Sequence, residues 1–262
     1  MTDRPAVLVT GAAGYVGRLC IRALAEQGDQ LSRLVALDWT DVARADHVAG
    51  VRYEQGDICD AGLGDLLLSH QIDTVVHLAS IVRAPDDAPD DLAYRVDVDG
   101  TRNVLNACDA VGATKLVVTS SGAAYGYHAD NPDWLDEHDP LRGNDEFAYA
   151  KHKRLVEAML ARHRNDHPEL QQVVFRPGTI VGEDVHSPVT DLFEKPVVLG
   201  IAGAASPFVF IWDQDLVACL VGAVLTDKVG VFNQAGDGAL SGREIAHLLG
   251  KPYVPLPAPL VT

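Results

Sequence analysis

The sequence predicts an α/β fold: a Rossmann-type, doubly wound parallel sheet followed by a small C-terminal substrate lobe. Short, wholly apolar strands alternate with amphipathic helices from Ala6 to Pro177. Strands that are apolar on both faces are typical of a parallel sheet covered by helices on both sides. The 262-residue chain is 47% hydrophobic, which is enough to build a large aliphatic core.

The first half of the predicted sheet opens with Ala6–Thr10, an apolar run bounded by Gly11. Gly14–Gln27 then carries apolar residues at helical spacing and predicts a helix. The same reasoning gives three further strands and one helix in this half, namely Arg33–Asp38, Val51–Asp57, the helix Ala61–His70, and Thr74–Ser80.

The second half contains two long predicted helices, Asp90–Val111, which ends at Gly112, and Asp145–Arg164. They alternate with the predicted strands Lys115–Ser121 and Gln172–Pro177. Regular alternation stops there. We therefore expect a dinucleotide-binding domain over residues 1–178, with its sheet completed by residues 228–236.

Residues 179–262 are predicted to form mostly a substrate-binding lobe. Helices are expected near Asp213–Leu225 and Gly242–Leu249, the second with Ser241 as its N-cap. The closing segment from Lys251 is expected to be an edge segment, or a chain that stops short of a further helix.

Composition limits the classes of partner. The net charge is −16, and an acidic surface of this kind repels nucleic acid and anionic membranes. No apolar run is long enough to span a bilayer, and no secretory signal is visible. The four cysteines are scattered without a C-x-x-C pair, so we expect reduced thiols in a cytoplasmic protein; they are Cys20, Cys59, Cys108 and Cys219.

The segment "TGAAGYVG" places Gly11, Gly14 and Gly17 between the first strand and the first helix. These glycines suit a tight turn, a close approach of backbone to a pyrophosphate, and packing of the helix on the strand. Asp38 ends the second strand, where a carboxylate accepts from the adenosine ribose hydroxyls and repels a 2′-phosphate, which favours NAD over NADP. Asp57 either accepts from the adenine amino group or belongs to a helix N-cap region.

The motifs "TGAAGYVG", "HLAS", "DVDGTRNVLNA", "TSSGAAYG", "YAKHK" and "RPGTIVG" occur in one order over about residues 6–182. In this combination the chain resembles the extended short-chain dehydrogenases/reductases, which include the NAD-dependent epimerase/dehydratase group. The resemblance implies an NAD-dependent enzyme. It also implies a homodimer formed through the two long helices.

The resemblance assigns the chemistry to Tyr149, Lys153 and Ser121. Tyr149 and Lys153 are four residues apart, so they share one face of a helix. A nearby ammonium favours the phenolate, and the family's serine polarises the reacting oxygen. Ser120 is a competing choice for that hydroxyl. The cofactor contacts implied by the resemblance are Gly11, Gly14, Tyr15, Val16, Gly17, Asp38, Asp57, Ile58, Leu78, Ala79, Ser80, Thr119, Tyr149, Lys153 and Pro177.

Histidines are not predicted to bind a metal. His77 is expected to be a packed strand residue, and His163 and His167 have the i, i+4 spacing of a ligand pair without a third ligand in view.

Three features depart from the family pattern. Asp97 stands where the family usually has Asn, and Thr179 stands where sugar-nucleotide epimerases often have a substrate-binding Asn. No Arg or Lys occurs from Pro196 to Asp227, where a cation would clamp a substrate diphosphate.

The expected function is hydride transfer between NAD and a secondary alcohol or ketone, in a sugar or nucleotide sugar, with Tyr149 as acid/base. The alternatives are a simple dehydrogenase of a sugar acid or hydrophobic alcohol, and a non-catalytic NAD-sensing protein.

Overall fold

The computed structural model describes residues 4–85, 87–204 and 206–257. The chain forms two compact units: one comprises the residues up to Arg176 together with Val217–Asn233, and the other comprises Pro177–Leu216 and the residues from Gln234 onward. The division into a dinucleotide-binding domain and a substrate lobe stays a prediction.

The described residues form eleven strands and eight α-helices. The strands are β1 (Ala6–Thr10), β2 (Arg33–Asp38), β3 (Arg52–Gln55), β4 (Thr74–His77), β5 (Lys115–Thr119), β6 (Gln171–Pro177), β7 (Thr179–Val181), β8 (Val198–Ile201), β9 (Phe210–Trp212), β10 (Gly230–Gln234) and β11 (Tyr253–Leu256). The helices are α1 (Tyr15–Ala25), α2 (Leu63–Ser69), α3 (Leu92–Tyr94), α4 (Thr101–Val111), α5 (Ala148–Asp166), α6 (Thr190–Glu194), α7 (Asp213–Leu225) and α8 (Gly242–Leu248).

The central sheet has seven strands in the order β10-β6-β5-β4-β1-β2-β3. Successive pairs from β6 to β3 are parallel. The strand order reverses at β1, which has β2 on one side and β4 on the other. In such sheets ligands bind beyond the carboxyl ends of the strands at the point of reversal. The prediction of a Rossmann-type, doubly wound parallel sheet is confirmed.

The core lies on and around this sheet. Fully buried aliphatic side chains of the central strands, including Leu8, Val35, Val75 and Leu116, pack against buried helix residues such as Leu160 of α5. These strands read as continuous apolar runs because both of their faces are covered.

The predicted helix Asp90–Val111 is helical from Leu92 to Val111, but it is not α-helical throughout. A stretch of π-helix, Arg95–Gly100, separates α3 from α4. Tertiary contacts favour the interruption: a Cβ at Gly100 would lie 2.5 Å from Cδ1 of Ile58, and the Asp97 side chain is held by Ser80 and Ile81. Helical periodicity alone does not register such contacts.

Several predicted strands are shorter in the structure. β4 ends at His77 instead of Ser80, since Ser80 turns away to bind Asp97. β5 ends at Thr119 instead of Ser121, since Ser121 caps the short 3₁₀-helix Gly122–Tyr125. β3 is confined to Arg52–Gln55.

The four cysteines are free thiols. Burial raises the pKa of Cys20 and of Cys108 to about 12. Burial and the neighbouring Asp57 raise the pKa of Cys59 to about 11. These three side chains therefore keep their protons at neutral pH and are poor nucleophiles.

The second unit contains two small parallel sheets, β7 with β9 and β8 with β11. Helix α8 begins at the predicted N-cap Ser241, which forms a reciprocal capping box with Glu244. In the closing segment, β11 is an edge strand beside β8, and residues 258–262 lie outside the described part of the chain. Among the described residues, no helix combines the length and apolarity needed to cross a bilayer.

Candidate active site

The glycine-rich turn is shaped by close backbone contacts. Gly11 has φ +72°, and a Cβ there would lie 2.6 Å from the backbone nitrogen of Ala79 and 2.8 Å from the carbonyl carbon of Leu78. A Cβ at Gly17 would lie 2.0 Å from the carbonyl oxygen of Gly11. Only glycine fits either position, so the turn brings α1, β1 and the segment after β4 together.

The first turn of α1 is suited to an anion. Its N-cap, Gly14, is extended and provides no side-chain cap, and the first turn contains no acidic residue. The N–H groups of a helix N-terminus and the helix dipole favour a phosphate there.

Asp38 lies beside this turn at the end of β2. Its carboxylate accepts the backbone N–H of Ala13 at 2.9 Å and that of Thr40 at 2.9 Å. A carboxylate has about four acceptor positions, so these two bonds fix its orientation and leave capacity for ligand hydroxyls.

The segment after β3 is organised around Asp57 and Ile58. The Asp57 carboxylate accepts the N–H of Cys59 at 2.8 Å. Asn103 on α4 donates to the carbonyl of Ile58 at 2.7 Å, and the Ile58 side chain is buried. Asp57 thus stabilises its own turn, and its contact with the adenine amino group stays a prediction.

The segment after β4 is held by a buried carboxylate. The Ser80 hydroxyl donates to Asp97 at 2.8 Å, the N–H of Ile81 donates to it at 2.9 Å, and Nδ1 of His152 lies 3.4 Å from its other oxygen. The Asp97 side chain is fully buried. An Asp in place of the family's Asn therefore has three partners, and it links the Ser80 segment to α5.

Tyr149 and Lys153 share the first turns of α5, as their spacing predicts. Lys153 is buried, and its ammonium donates to the carbonyl of Thr119 at 3.2 Å and lies 5.5 Å from the centroid of the Tyr149 ring. The Thr119 hydroxyl is buried and has no hydrogen-bond partner within the described part of the chain. Lys153 therefore contacts the carboxyl end of β5, and the Tyr149 ring lies beside it.

Ser121 follows Thr119 by two residues. Its hydroxyl oxygen accepts the N–H of Ala123 at 3.1 Å, so its proton remains available for donation. The competing Ser120 is buried and donates to Glu157 at 2.6 Å. The Ser120 proton is therefore used in a buried hydrogen bond, which favours Ser121 as the reactive hydroxyl.

A buried network that sequence reasoning missed supports this end of the sheet. Arg176 on β6 binds both oxygens of Glu157 on α5 at 2.6–3.0 Å and donates to the Tyr125 hydroxyl at 2.7 Å. Burial alone would lower the pKa of Arg176, but the hydrogen bonds and charge of Glu157 outweigh it, and the pKa is raised. The network fixes the elements on which Ser121 and Lys153 are carried.

His77 is a packed residue and not a ligand. It is buried, with Nδ1 2.8 Å from the Thr10 hydroxyl and Nε2 3.0 Å from the Thr101 hydroxyl. Burial lowers its pKa to about 3, with a further contribution from the charge of Lys153.

Comparison with known proteins identifies the family. The sequence profile of the NAD dependent epimerase/dehydratase family matches residues 7–196, well over half of the chain. The chain belongs to this family. The prediction of an extended short-chain enzyme family is confirmed, and NAD is the cofactor on which the family depends.

Individual members of the NAD dependent epimerase/dehydratase family are also similar to the chain. It is 35% identical over 72% of its length to N-acetyl-alpha-D-glucosaminyl-diphospho-ditrans,octacis-undecaprenol 4-epimerase of Escherichia coli, covering 53% of that protein. It is 31% identical over 80% of its length to UDP-glucose 4-epimerase of Halalkalibacterium halodurans, covering 63% of that protein. The chain therefore spans only about half to two thirds of these relatives.

Among solved structures, the chain is similar to UDP-glucose 4-epimerase of Thermus thermophilus in complex with NAD. The TM-score is 0.77 at 25% identity, over 97% of this chain and 86% of that one.

The residues present fit the family's dinucleotide. The turn from Gly11 to Gly17 is open because its glycines have no Cβ, and the first turn of α1 has no side-chain cap. The Thr119 hydroxyl lacks a hydrogen-bond partner among the described residues. Tyr15, Val16 and Gly17 form that first turn, and Leu78 and Ala79 contact Gly11. Of the remaining predicted contacts, Pro177 ends β6 and belongs to the second unit.

Proposed function

We propose that the chain is an NAD-dependent oxidoreductase or epimerase acting on a secondary alcohol or its ketone, in a sugar or nucleotide sugar. Tyr149 is the acid/base of this proposal. The observation that carries it is the position of the buried Lys153 ammonium. This group donates to the Thr119 carbonyl and lies 5.5 Å from the centroid of the Tyr149 ring. Burying a cation is costly, so a buried cation usually has a functional role or a full set of hydrogen-bond and charge partners.

Lys153 gives Tyr149 its chemistry in this proposal. A phenol ordinarily keeps its proton at neutral pH. A buried ammonium close to the ring stabilises the negative charge that develops on the phenol oxygen when the proton leaves. Tyr149 then removes a proton from the substrate hydroxyl in one direction and returns it in the other.

Ser121 orients the reacting oxygen. Its hydroxyl oxygen accepts the N–H of Ala123, which leaves the O–H available to donate to a substrate oxygen. A hydrogen bond from Ser121 to the substrate oxygen stabilises charge that develops there.

The dinucleotide, when bound, supplies the site that accepts and returns hydride. In the proposal the turn from Gly11 to Gly17 holds its pyrophosphate, Asp38 its adenosine ribose and Lys153 its other ribose. Ile58, Leu78, Ala79, Ser80, Thr119 and Pro177 complete the contacts, with Asp57 near the adenine.

Two observations bear on the substrate. The named relatives are 4-epimerases of nucleotide or lipid-linked diphospho sugars, which supports a sugar substrate. The chain has no Arg or Lys from Pro196 to Asp227. A diphosphate left unneutralised near an acidic protein binds poorly, so that gap favours the second candidate, a dehydrogenase of an unphosphorylated sugar acid or hydrophobic alcohol.

Replacing Tyr149 tests the catalytic assignment. Tyr149→Phe should lower kcat by about 100-fold or more because the acid/base is lost, while NAD binding stays within a few fold. Tyr53→Phe is the matched control, since Tyr53 lies on β3, where its ring stacks on His47. Unchanged turnover of an accepted substrate by Tyr149→Phe would refute the assignment.

Cofactor retention separates the two candidate reactions. An epimerase oxidises and then reduces the same substrate, so NAD stays bound, whereas a dehydrogenase exchanges it after each turnover. Purified protein is denatured and the released nucleotide is quantified by chromatography. About one NAD per chain favours the epimerase, and an empty site favours the dehydrogenase.

A further inference from the structure

The last turns of α4 and α5 bring together a cluster of nitrogen and oxygen donors, Asp109, His163 and His167. Asp109 lies in the last turn of α4, His163 in the last turn of α5, and His167 is the C-cap residue that follows α5. One ligand atom from each lies within 4.8 Å of the other two. The third donor could not be seen in the sequence because Asp109 is 54 residues from His163.

The spacing of these atoms suits a small divalent metal. Nε2 of His163 lies 3.0 Å from Oδ2 of Asp109, and Nδ1 of His167 lies 3.9 Å from the same oxygen. A tetrahedral zinc ion with ligand distances of about 2.1 Å separates its ligands by about 3.4 Å, between these two values. The His163 and His167 rings are stacked, with centroids 4.5 Å apart and planes 19° from parallel, so the partly exposed His167 ring must turn before both nitrogens can point at one ion.

The local charge also favours a cation. The cluster lies at the C-terminal ends of α4 and α5, and a helix C-terminus carries partial negative charge. Glu169 adds a carboxylate 3.4 Å from Nδ1 of His167. Glu169 is largely exposed and free to rotate, so it or a water can take the fourth position.

We propose that Asp109, His163 and His167 form a zinc-class metal site that links the C-terminal turns of α4 and α5, with Glu169 as the additional ligand. Imidazole nitrogens with carboxylates are a donor set that zinc accepts. The site is separate from the candidate active site and is independent of the proposed reaction. Its expected role is to stabilise the packing of the two helices.

The surroundings of His163 set a condition on this proposal. Nε2 can bind a metal only if the ring proton is on Nδ1, which lies 3.2 Å from the amide nitrogen of Gln172. The Gln172 oxygen accepts from Arg164 at 2.9 Å. Metal binding therefore requires the Gln172 amide to turn, which gives up the bond from Arg164 and weakens the affinity.

This condition yields a sharp test, Gln172→Glu. A carboxylate at residue 172 accepts from Arg164 and from Nδ1–H of His163 at the same time. Outer partners of this kind change metal affinity by about 10–100-fold, so Gln172→Glu should bind zinc at least about tenfold more tightly.

The measurement is calorimetric titration of untagged, chelator-treated protein with zinc chloride at pH 7.5. We expect one zinc per chain at this site, and a loss of at least about tenfold in affinity for His167→Ala and for Asp109→Asn. His167 and Asp109 are partly exposed, so both variants should fold, which circular dichroism checks. His186→Ala is the control, because His186, Asp191 and Glu194 form another candidate cluster.

Heating gives a second readout. Zinc should raise the unfolding temperature of the unaltered chain by more than it raises that of His167→Ala, because the variant binds zinc more weakly. The proposal is overturned if the chain binds no zinc, if His167→Ala and Asp109→Asn bind as tightly as the unaltered chain, or if only His186→Ala weakens binding. A folded Gln172→Glu variant that binds no more tightly overturns the proposed ligand set.

Discussion

His77 is held by two threonine hydroxyls and buried without a charge, which makes it a source of acid sensitivity. Its pKa is about 3 in the folded chain, because of burial and the charge of Lys153, against about 6.5 in an unfolded chain. Between these values the unfolded chain binds a proton that the folded chain does not. Stability is therefore complete above about pH 6.5 and falls as the pH decreases toward 3.

The corresponding prediction compares the unaltered chain with His77→Asn. Between pH 6 and pH 5 the free energy of unfolding of the unaltered chain should fall by about 1.4 kcal/mol per pH unit more than that of the variant. Urea titrations at half-unit intervals measure both slopes, and the other histidines and carboxylates cancel in the difference. Equal slopes would show that the buried imidazole does not titrate as described.

Asp97 and His152 form a buried pair near the site. His152→Ala leaves the Asp97 carboxylate with only the Ser80 hydroxyl and the Ile81 N–H, and should cost about 1–3 kcal/mol of stability. Adding Asp97→Asn removes the stranded charge and should recover much of the loss. Denaturant unfolding of the two single variants and the double variant measures the coupling. Additive effects would contradict the pairing.

At the scale of elements, the turn from β1 into α1 offers a controlled test of close packing. Gly11 and Gly112 both have positive φ, +72° and +67°, but a Cβ at Gly112 would meet nothing within 4 Å. Gly112→Ala should therefore cost only the backbone strain, about 1–2 kcal/mol. Gly11→Ala should cost more and weaken NAD binding, since the backbone of Leu78 and Ala79 would have to move.

Urea unfolding and NAD titration of both alanine variants measure these effects. A Gly11→Ala variant that is no less stable than Gly112→Ala and binds NAD normally would refute the role given to the turn.

Elements were predictable where the signal is local. Helix α5 follows from residues three and four apart, and its Tyr149–Lys153 face follows with it. The π-helical stretch Arg95–Gly100 was missed because its cause is tertiary: Gly100 packs on Ile58, and Ser80 captures Asp97. The end of β4 was missed for the same reason, whereas β5 ends early for a local one, since Ser121 caps the 3₁₀-helix that follows it.

The site was predictable to the same extent. Glycine spacing and the carboxylate at Asp38 are local features that indicate a dinucleotide cradle. The partners of Arg176 lie 19 residues away at Glu157 and 51 away at Tyr125, and no local pattern connects them. Contacts of that sequence separation depend on the strand order β6-β5-β4, which becomes known only when the chain is folded.

At the scale of the whole molecule, the net charge of −16 opposes compaction. The Debye length shortens from about 30 Å at 0.01 M salt to about 10 Å at 0.1 M, so salt screens this repulsion. Raising sodium chloride from 10 to about 200 mM at pH 7.5 should therefore raise the unfolding temperature, by about 2–4 °C if the gain is about 1 kcal/mol.

The pH dependence of that effect tests its cause. The isoelectric point is about 4.8, so at pH 5 the net charge nearly vanishes and the same salt change should have little effect. A chelator removes any contribution of bound metal, and potassium chloride should act like sodium chloride because screening depends on ionic strength. A lower unfolding temperature in salt at pH 7.5 would mean that screened ion pairs outweigh the net repulsion. The buried Arg176–Glu157 pair should contribute little to such a decrease, because buried pairs are screened much less than exposed ones.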